Sequence, residues 1–154
     1  MRLKDLLRDD FVLLELQARD VEGVVREVAV CAGNAGIGHP AVIEEKLLER
    51  ERVHPTVIGS GLAIPHATVP GLKEQFIGVA LAGGEPIAFG APDQDPVRVF
   101  FVLLTPPGHE REHVKLLARI CRLVRHDGFI DDLESAEDKE KVVELIKLVD
   151  AQHV

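Results

Sequence analysis

The sequence predicts an α/β fold, with helices on both faces of a mixed β-sheet. Three observations carry that reading. Residues 97–104 form a nearly continuous apolar run bounded by prolines, as a central strand buried on both faces requires. Several other segments space their apolar residues as amphipathic helices do. Strand-like and helix-like segments follow one another in the order β-α-α-β-β-β-α-α.

The elements follow in chain order. The apolar run 11–16 is the first expected strand. Asp20 stands where a helix N-cap belongs, and Val21, Val24, Val25, Val28 and Ala29 follow at helical spacing. That helix ends in the turn segment 32–38, Ala-Gly-Asn-Ala-Gly-Ile-Gly. Pro40 suits the first position of a second helix. Val42, Ile43, Leu47 and Leu48 form its buried stripe, and it runs to about Arg52. Segment 55–70 is expected to be loop-rich. Residues 76–82 read as a strand and 86–89 as another. Pro106-Pro107-Gly108 stops the central run, and the spacing predicts a helix over 109–125 with Leu117, Ile120, Cys121 and Val124 on one face. Residues 129–133 make a short element. Ser135 with Asp138 resembles a capping box. The last helix presents Val142, Val143, Leu145, Ile146 and Val149 as its apolar face.

At 154 residues, with no repeat, low-complexity stretch or linker, the chain is expected to form a single domain over 1–154. That length buries a sizeable core. A hydrophobic fraction of 46% beside a charged fraction of 29% is that of a soluble globular protein. The net charge of −8 argues against general nucleic-acid binding, which needs a basic face. A local basic patch is still available from Arg50, Arg52, Arg111, Lys115, Arg119, Arg122 and Arg125. Cys31 and Cys121 sit inside apolar runs and read as reduced core residues. The opening ten residues alternate charge with leucine and lack the apolar core of a signal peptide. No apolar run is long enough to span a bilayer. The expectation is a cytoplasmic protein without membrane insertion. Trp and Tyr are absent, which removes the usual stacking platforms for sugars and bases.

Two glycine-rich stretches invite a nucleotide reading, and both fail it. Residues 33–38 do not spell a dinucleotide fingerprint and follow a helix, so a helix–helix turn explains them. Gly59-Ser60-Gly61 lacks the Lys-Ser/Thr of a P-loop. Glycines beside a histidine can still turn backbone N–H groups toward an anion. His109-Glu-Arg-Glu-His113 matches the H-E-x-x-H zinc-hydrolase motif, with Glu134 as a conceivable third ligand. The context is poor: Pro-Pro-Gly puts His109 in a fraying first turn, and no x-x-Gly-x-x-His continuation follows. No metal or other cofactor is expected.

Gly59-Ser-Gly-Leu-Ala-Ile-Pro-His66 displays one histidine at the end of a short apolar run, behind a proline. An imidazole so placed can serve as base, ligand or nucleophile. His113 shares a helical stripe with Leu117, Ile120 and Val124, which ordinarily marks a core histidine. It also lies just past the carboxyl end of the expected central strand, where α/β sheets place their ligand crevices. His66 and His113 are therefore expected to meet. Arg50 taken alone reads as a solvated helix charge. Together the three suggest phosphoryl chemistry, in which imidazole is both nucleophile and leaving group. Arg50, Thr56 or Ser60, the backbone of Gly59 and Gly61, and His113 could all neutralise the phosphoryl oxygens.

Residues 48–66, Leu-Glu-Arg-Glu-Arg-Val-His-Pro-Thr-Val-Ile-Gly-Ser-Gly-Leu-Ala-Ile-Pro-His, resemble the signature of the IIA component of the bacterial phosphotransferase system, fructose/mannitol type. That family includes the nitrogen-regulatory IIA proteins. The resemblance continues through Ile87-Ala-Phe, Asp95-Pro-Val-Arg-Val-Phe-Phe-Val-Leu-Leu-Thr-Pro and Glu112-His-Val-Lys-Leu-Leu-Ala, so it spans nearly the whole chain. It implies a three-layer α/β/α sandwich. It also implies that His66 accepts a phosphoryl group from a histidine phosphocarrier protein. The acceptor it implies is a sugar-specific IIB component or, in regulatory members, a target protein. The family's arginine, second histidine and threonine fall on Arg50, His113 and Thr56. Val57 and Ala67 stand where glycine is common in the family, which narrows backbone freedom beside the expected phosphoryl site. An apolar rim over 62–64 with Val69 is the expected docking surface.

Overall fold

The central run needs partners on both edges and apolar cover on both faces, and the fold supplies them. The computed structural model describes residues 3–152. The ends of the expected 1–154 unit, including the first two residues of the charged opening segment, lie outside the described residues. After a 3₁₀ turn at Leu3–Asp5, the elements are β1 (Leu7–Leu13), α1 (Val21–Asn34), α2 (Pro40–Val53), β2 (Val57–Gly59), β3 (Leu62–Ala63), β4 (His66–Thr68), β5 (Phe76–Leu81), β6 (Val99–Thr105), α3 (Glu110–Leu123), α4 (Phe129–Glu134) and α5 (Lys139–Ala151). The sheet runs β1-β5-β6-β3-β2, with β4 also pairing with β6. β5 is antiparallel to β6, whereas β3 and β4 run parallel to it. The mixed sheet is as the sequence predicts.

Alternation along β6 divides the core. Phe100, Val102 and Leu104 join α1 and α2 on one face. Val99, Phe101 and Leu103 join α3, α4 and α5 on the other. Helices therefore cover both faces, and all seven residues of β6 are buried. At roughly 1.5–3 kcal/mol for each large apolar side chain, this burial dominates the stabilisation of the sheet.

Local chemistry sets the helix starts. Asp20 accepts from the backbone N of Gly23 at 2.8 Å, and His39 Nδ1 accepts from Ala41 at 3.2 Å ahead of Pro40. Asp138 alone caps α5, accepting from Lys141 N at 2.8 Å. Ser135 instead ends α4, its hydroxyl donating to the Asp131 carbonyl at 3.0 Å, so the expected capping box does not form.

Several boundaries differ from expectation. β1 begins at Leu7 and ends at Leu13, because parallel pairing with β5 fixes it. Segment 86–89 contributes only an isolated bridge, Ile87 with Val97. The largest change is at 55–70, where three short strands replace the expected loop. β3 and β4 are two pieces of one run along β6: Leu62 pairs with Val99 and His66 with Leu103, in a single unbroken register. Pro65 lies between them. It has no N–H to give the ladder, and its carbonyl accepts from Leu103 N at 3.0 Å. The two thiols are free and only half-buried at the core margins, and burial pushes the Cys31 thiol up. No helix among the described residues is long and apolar enough to cross a membrane.

Candidate active site

Leu62 and Ile64 lie on the α3 side of the sheet, and period-two alternation carries His66 to that same side. α3 starts just past the end of β6 and brings His113 to meet it. The two ring centroids are 5.2 Å apart at an interplanar angle of 55°. From the last turn of α2, Arg50 donates through Nε to His66 Nε2 at 3.2 Å and through Nη1 to the His54 carbonyl at 2.8 Å. Arg50, His66 and His113 thus line one cavity of about 440 Å³, together with Lys46, Val53 and Thr68. Larger grooves lie along α1 and beside α4, but neither holds a pair of imidazoles.

The hydrogen bonds fix the state of His66. Its Nδ1 lies 2.7 Å from the Ile64 carbonyl oxygen, which can only accept. Nδ1 therefore carries the proton and Nε2 holds the lone pair. Burial pushes the imidazole below its ordinary 6.5, opposed by the Ile64 bond and reinforced by the Arg50 charge. His113 is held lower still, at about 4, first by burial and then by His66 and Arg50, with Glu110 opposing. Both rings are neutral near pH 7, as a nucleophile and its neighbour must be. The His113 Nδ1 lies 2.6 Å from the Thr105 hydroxyl, which also accepts from Gln75 Nε2 at 3.1 Å.

The other expected phosphoryl-binding residues have different surroundings. Thr56 is buried, and its hydroxyl donates to the Glu51 carboxylate at 2.8 Å. Its backbone N also donates to Glu51 at 2.6 Å, and its carbonyl accepts from Ile64 N at 3.1 Å. Thr56 and Glu51 thus hold the Ile64 peptide that in turn holds His66. Burial raises the Glu51 carboxyl despite the Thr56 bonds. Gly59, Ser60 and Gly61 form the β2–β3 turn, at the Val99 end of β6 and not at the Leu103 end where His66 lies. Gly59 and Ser60 line a separate groove with Arg98 and Phe129. All three take positive φ, of 97°, 56° and 83°. At Gly61 a Cβ would come within 2.9 Å of Arg98 Cδ. The glycines serve the turn and the passage of Arg98, not an anion at His66.

Other expectations need the same adjustment. Leu62, Ile64 and Val69 are buried and cannot form the expected rim; Val53 of α2 lines the cavity and is exposed, and Val114, next to His113 in α3, is exposed as well. Within the expected basic patch, Arg119 is committed to buried Asp150 at 2.6 Å. The zinc motif is not assembled: His113 Nδ1 is engaged by the Thr105 hydroxyl, His109 is an exposed N-cap residue, and Glu134 is paired with Arg98. Among the described residues, no three His, Cys, Asp or Glu side chains gather as a metal site. Lys46 in the cavity had a signal in the sequence, one helical turn before Arg50. Gln75 and Thr105 had none, since cross-strand register brings them together.

Comparison with known proteins gives the family. Residues 5–149 match the family described as "Phosphoenolpyruvate-dependent sugar phosphotransferase system, EIIA 2", and the chain belongs to that family. Phosphotransferase-type activity is the common ground of such components. A nitrogen regulatory protein of Bradyrhizobium diazoefficiens is 32% identical over 148 residues, covering 96% of each chain. A fructose-specific EIIA component of Haloferax volcanii is 29% identical over 140 residues, covering 89% of each. In fold, the chain is similar to the nitrogen regulatory protein IIA-Ntr of Neisseria meningitidis, with a TM-score of 0.82 at 24% identity over 94% of this chain and 98% of that one. IIA mannitol of Escherichia coli gives 0.77 at 19% identity, over 90% and 97%.

Proposed function

We propose that this protein is a phosphocarrier whose His66 takes a phosphoryl group from a phosphohistidine on a histidine phosphocarrier protein and passes it on. One observation carries the reading: the Ile64 carbonyl holds the Nδ1 proton of His66, which leaves the Nε2 lone pair beside Arg50. In the transfer, Nε2 attacks phosphorus in line. The donor's P–N bond breaks with its electron pair returning to the donor imidazole, and a new N–P bond forms on Nε2. The protein supplies position and charge compensation. Arg50 turns from Nε2 to the phosphoryl oxygens. The Nδ1–H bond to Ile64 stabilises the positive charge that phosphorylation places on the His66 ring. Val53, exposed at the cavity, and Val114, exposed next to His113 in α3, offer apolar surface for the partner.

Incubation with phosphoenolpyruvate, enzyme I and the phosphocarrier is expected to label the wild type but not His66→Ala. Labelling that persists in His66→Ala would sink the proposal. The attached phosphorus should couple to Nε2 in nitrogen NMR.

The onward acceptor in this proposal is a sugar-specific IIB component. A second reading has a specific support: the Bradyrhizobium relative, matched along almost its whole length, is named a nitrogen regulatory protein. In that case phosphorylation of His66 controls binding to a target protein. Discharge of the phosphorylated protein to a sugar-specific IIB decides for transport. Failure to discharge to any IIB, with partner binding that differs between the two states, decides for regulation.

A further inference from the structure

Gln75 and Thr105 stand opposite each other where β5 begins and β6 ends, continuing the register that pairs Phe76 with Leu104. Both are buried, at 4% and 1% exposure. Their position is an awkward one for polar groups, since the Gln75 Oε1 has no hydrogen-bond partner among the described residues. Leaving a buried carbonyl unpaired is destabilising, because it loses its water partners and gains none. An apolar pair could fill the same space without that cost. Among the described residues, the side-chain hydrogen bonds of the polar pair lead to one candidate site residue, His113, through its Nδ1.

We propose that Gln75 and Thr105 are positioning residues that lock His113 in the tautomer carrying its proton on Nε2. A hydroxyl has one proton and two lone pairs. The Gln75 N–H occupies a lone pair of the Thr105 oxygen, at 3.1 Å. Among the described contacts, the acceptor within reach of the hydroxyl proton is His113 Nδ1, at 2.6 Å. Nδ1 is then unprotonated, and in a neutral ring the proton sits on Nε2. That ring is neutral at physiological pH, since burial holds it at about 4.

The consequence follows from the sign of the charge on a phosphoryl group. With Nδ1 turned inward to Thr105, the Nε2 edge is left for the cavity that His113 shares with His66. An N–H there donates to a phosphoryl oxygen. The other tautomer would present a lone pair and repel it. The amide and hydroxyl therefore act at one remove: Gln75 orients Thr105, Thr105 sets His113, and His113 meets the anion. This role rests on the reading of His66 as phosphoacceptor, but the tautomer lock itself does not.

The test separates the two. Nitrogen NMR of the labelled protein above pH 7 is expected to show His113 with Nδ1 unprotonated and Nε2 protonated. Thr105→Val should convert that signature to a mixture of tautomers, and Thr105→Ser should restore it. Gln75→Leu should shift it part of the way. Phosphorylation of His66 should slow about tenfold in Thr105→Val, the scale of one hydrogen bond worth about 1.4 kcal/mol, and recover in Thr105→Ser. A wild-type spectrum with the proton on Nδ1 overturns the lock, as does a Thr105→Val spectrum identical to wild type. The wild-type spectrum decides the matter even if Thr105→Val fails to fold. A wild type that the phosphocarrier never labels defeats the phosphoacceptor reading, while the spectrum still decides the lock.

Discussion

Arg50 Nε lies 3.2 Å from His66 Nε2, the ring nitrogen that bears no proton. The guanidinium is thus already in place for the charge that a phosphoryl group brings, and its own charge lowers the His66 pKa. Arg50→Gln is expected to slow phosphorylation of His66 by about 100-fold, the scale of removing one preorganised donor. It should also raise the His66 pKa toward 6.5, read by proton NMR titration. Arg50→Lys should restore part of the rate, since it keeps the charge but loses the planar fork. A His66 titration unchanged in Arg50→Gln would contradict this account.

Ser60 holds a left-handed φ of 56° in a turn that points away from His66 along β6. A non-glycine residue there is strained by roughly 1 kcal/mol. Ser60→Gly is expected to raise the unfolding free energy by about 0.5–1 kcal/mol in urea titrations. Ser60→Ala should leave the rate of His66 phosphorylation unchanged. A large loss of rate in Ser60→Ala would return the hydroxyl to the phosphoryl site.

This turn also shows what the sequence hid. The order of residues placed Gly59, Ser60 and Gly61 near His66, and along the chain they are near. In space, β3 and β4 run parallel to β6 and carry the two ends of the segment apart. The strands themselves have two or three residues each, so hydrophobic periodicity could not announce them; pairing with β6 makes them. β6 was legible because burial on both faces leaves an uninterrupted apolar run. Arg50, His66 and His113 were legible because their side-chain types are few and chemically pointed. The contacts that orient them were not. Ile64 acts through its backbone, and Gln75 and Thr105 meet only through strand register.

Glu51 joins the fold to the site. Its carboxylate takes both the backbone N–H and the hydroxyl of Thr56, and Thr56 holds the Ile64 peptide. Glu51→Ala leaves those buried donors unpaired and is expected to cost about 2–3 kcal/mol. Glu51→Gln keeps an acceptor and should cost less than about 1 kcal/mol at neutral pH, since it removes a buried charge. The carboxyl is raised in the folded state, so the native protein binds the extra proton. Wild type should therefore gain stability relative to Glu51→Gln as pH falls from that raised value toward 4.5. Chemical denaturation of both proteins across that window checks the sign.

The last prediction concerns His113, whose imidazole is held at about 4 in the fold against an ordinary 6.5. The depressed value means that the unfolded chain takes up a proton first on acidification. The stability this group contributes is fully present above 6.5 and is lost as pH falls toward 4. His113→Gln has no such proton to bind. Between about pH 7 and pH 4, wild type should lose about 1–2 kcal/mol more than His113→Gln, a figure already reduced for the partial exposure of the ring. His66 shifts in the same direction in both proteins and largely cancels from the comparison. Urea midpoints at intervals across this range give the two slopes. Parallel slopes would mean that His113 is not held neutral by the fold. The same experiment on Thr105→Val adds a check on the cause. Burial leads the shift, so that variant should keep most of the wild-type slope even where its tautomer is released.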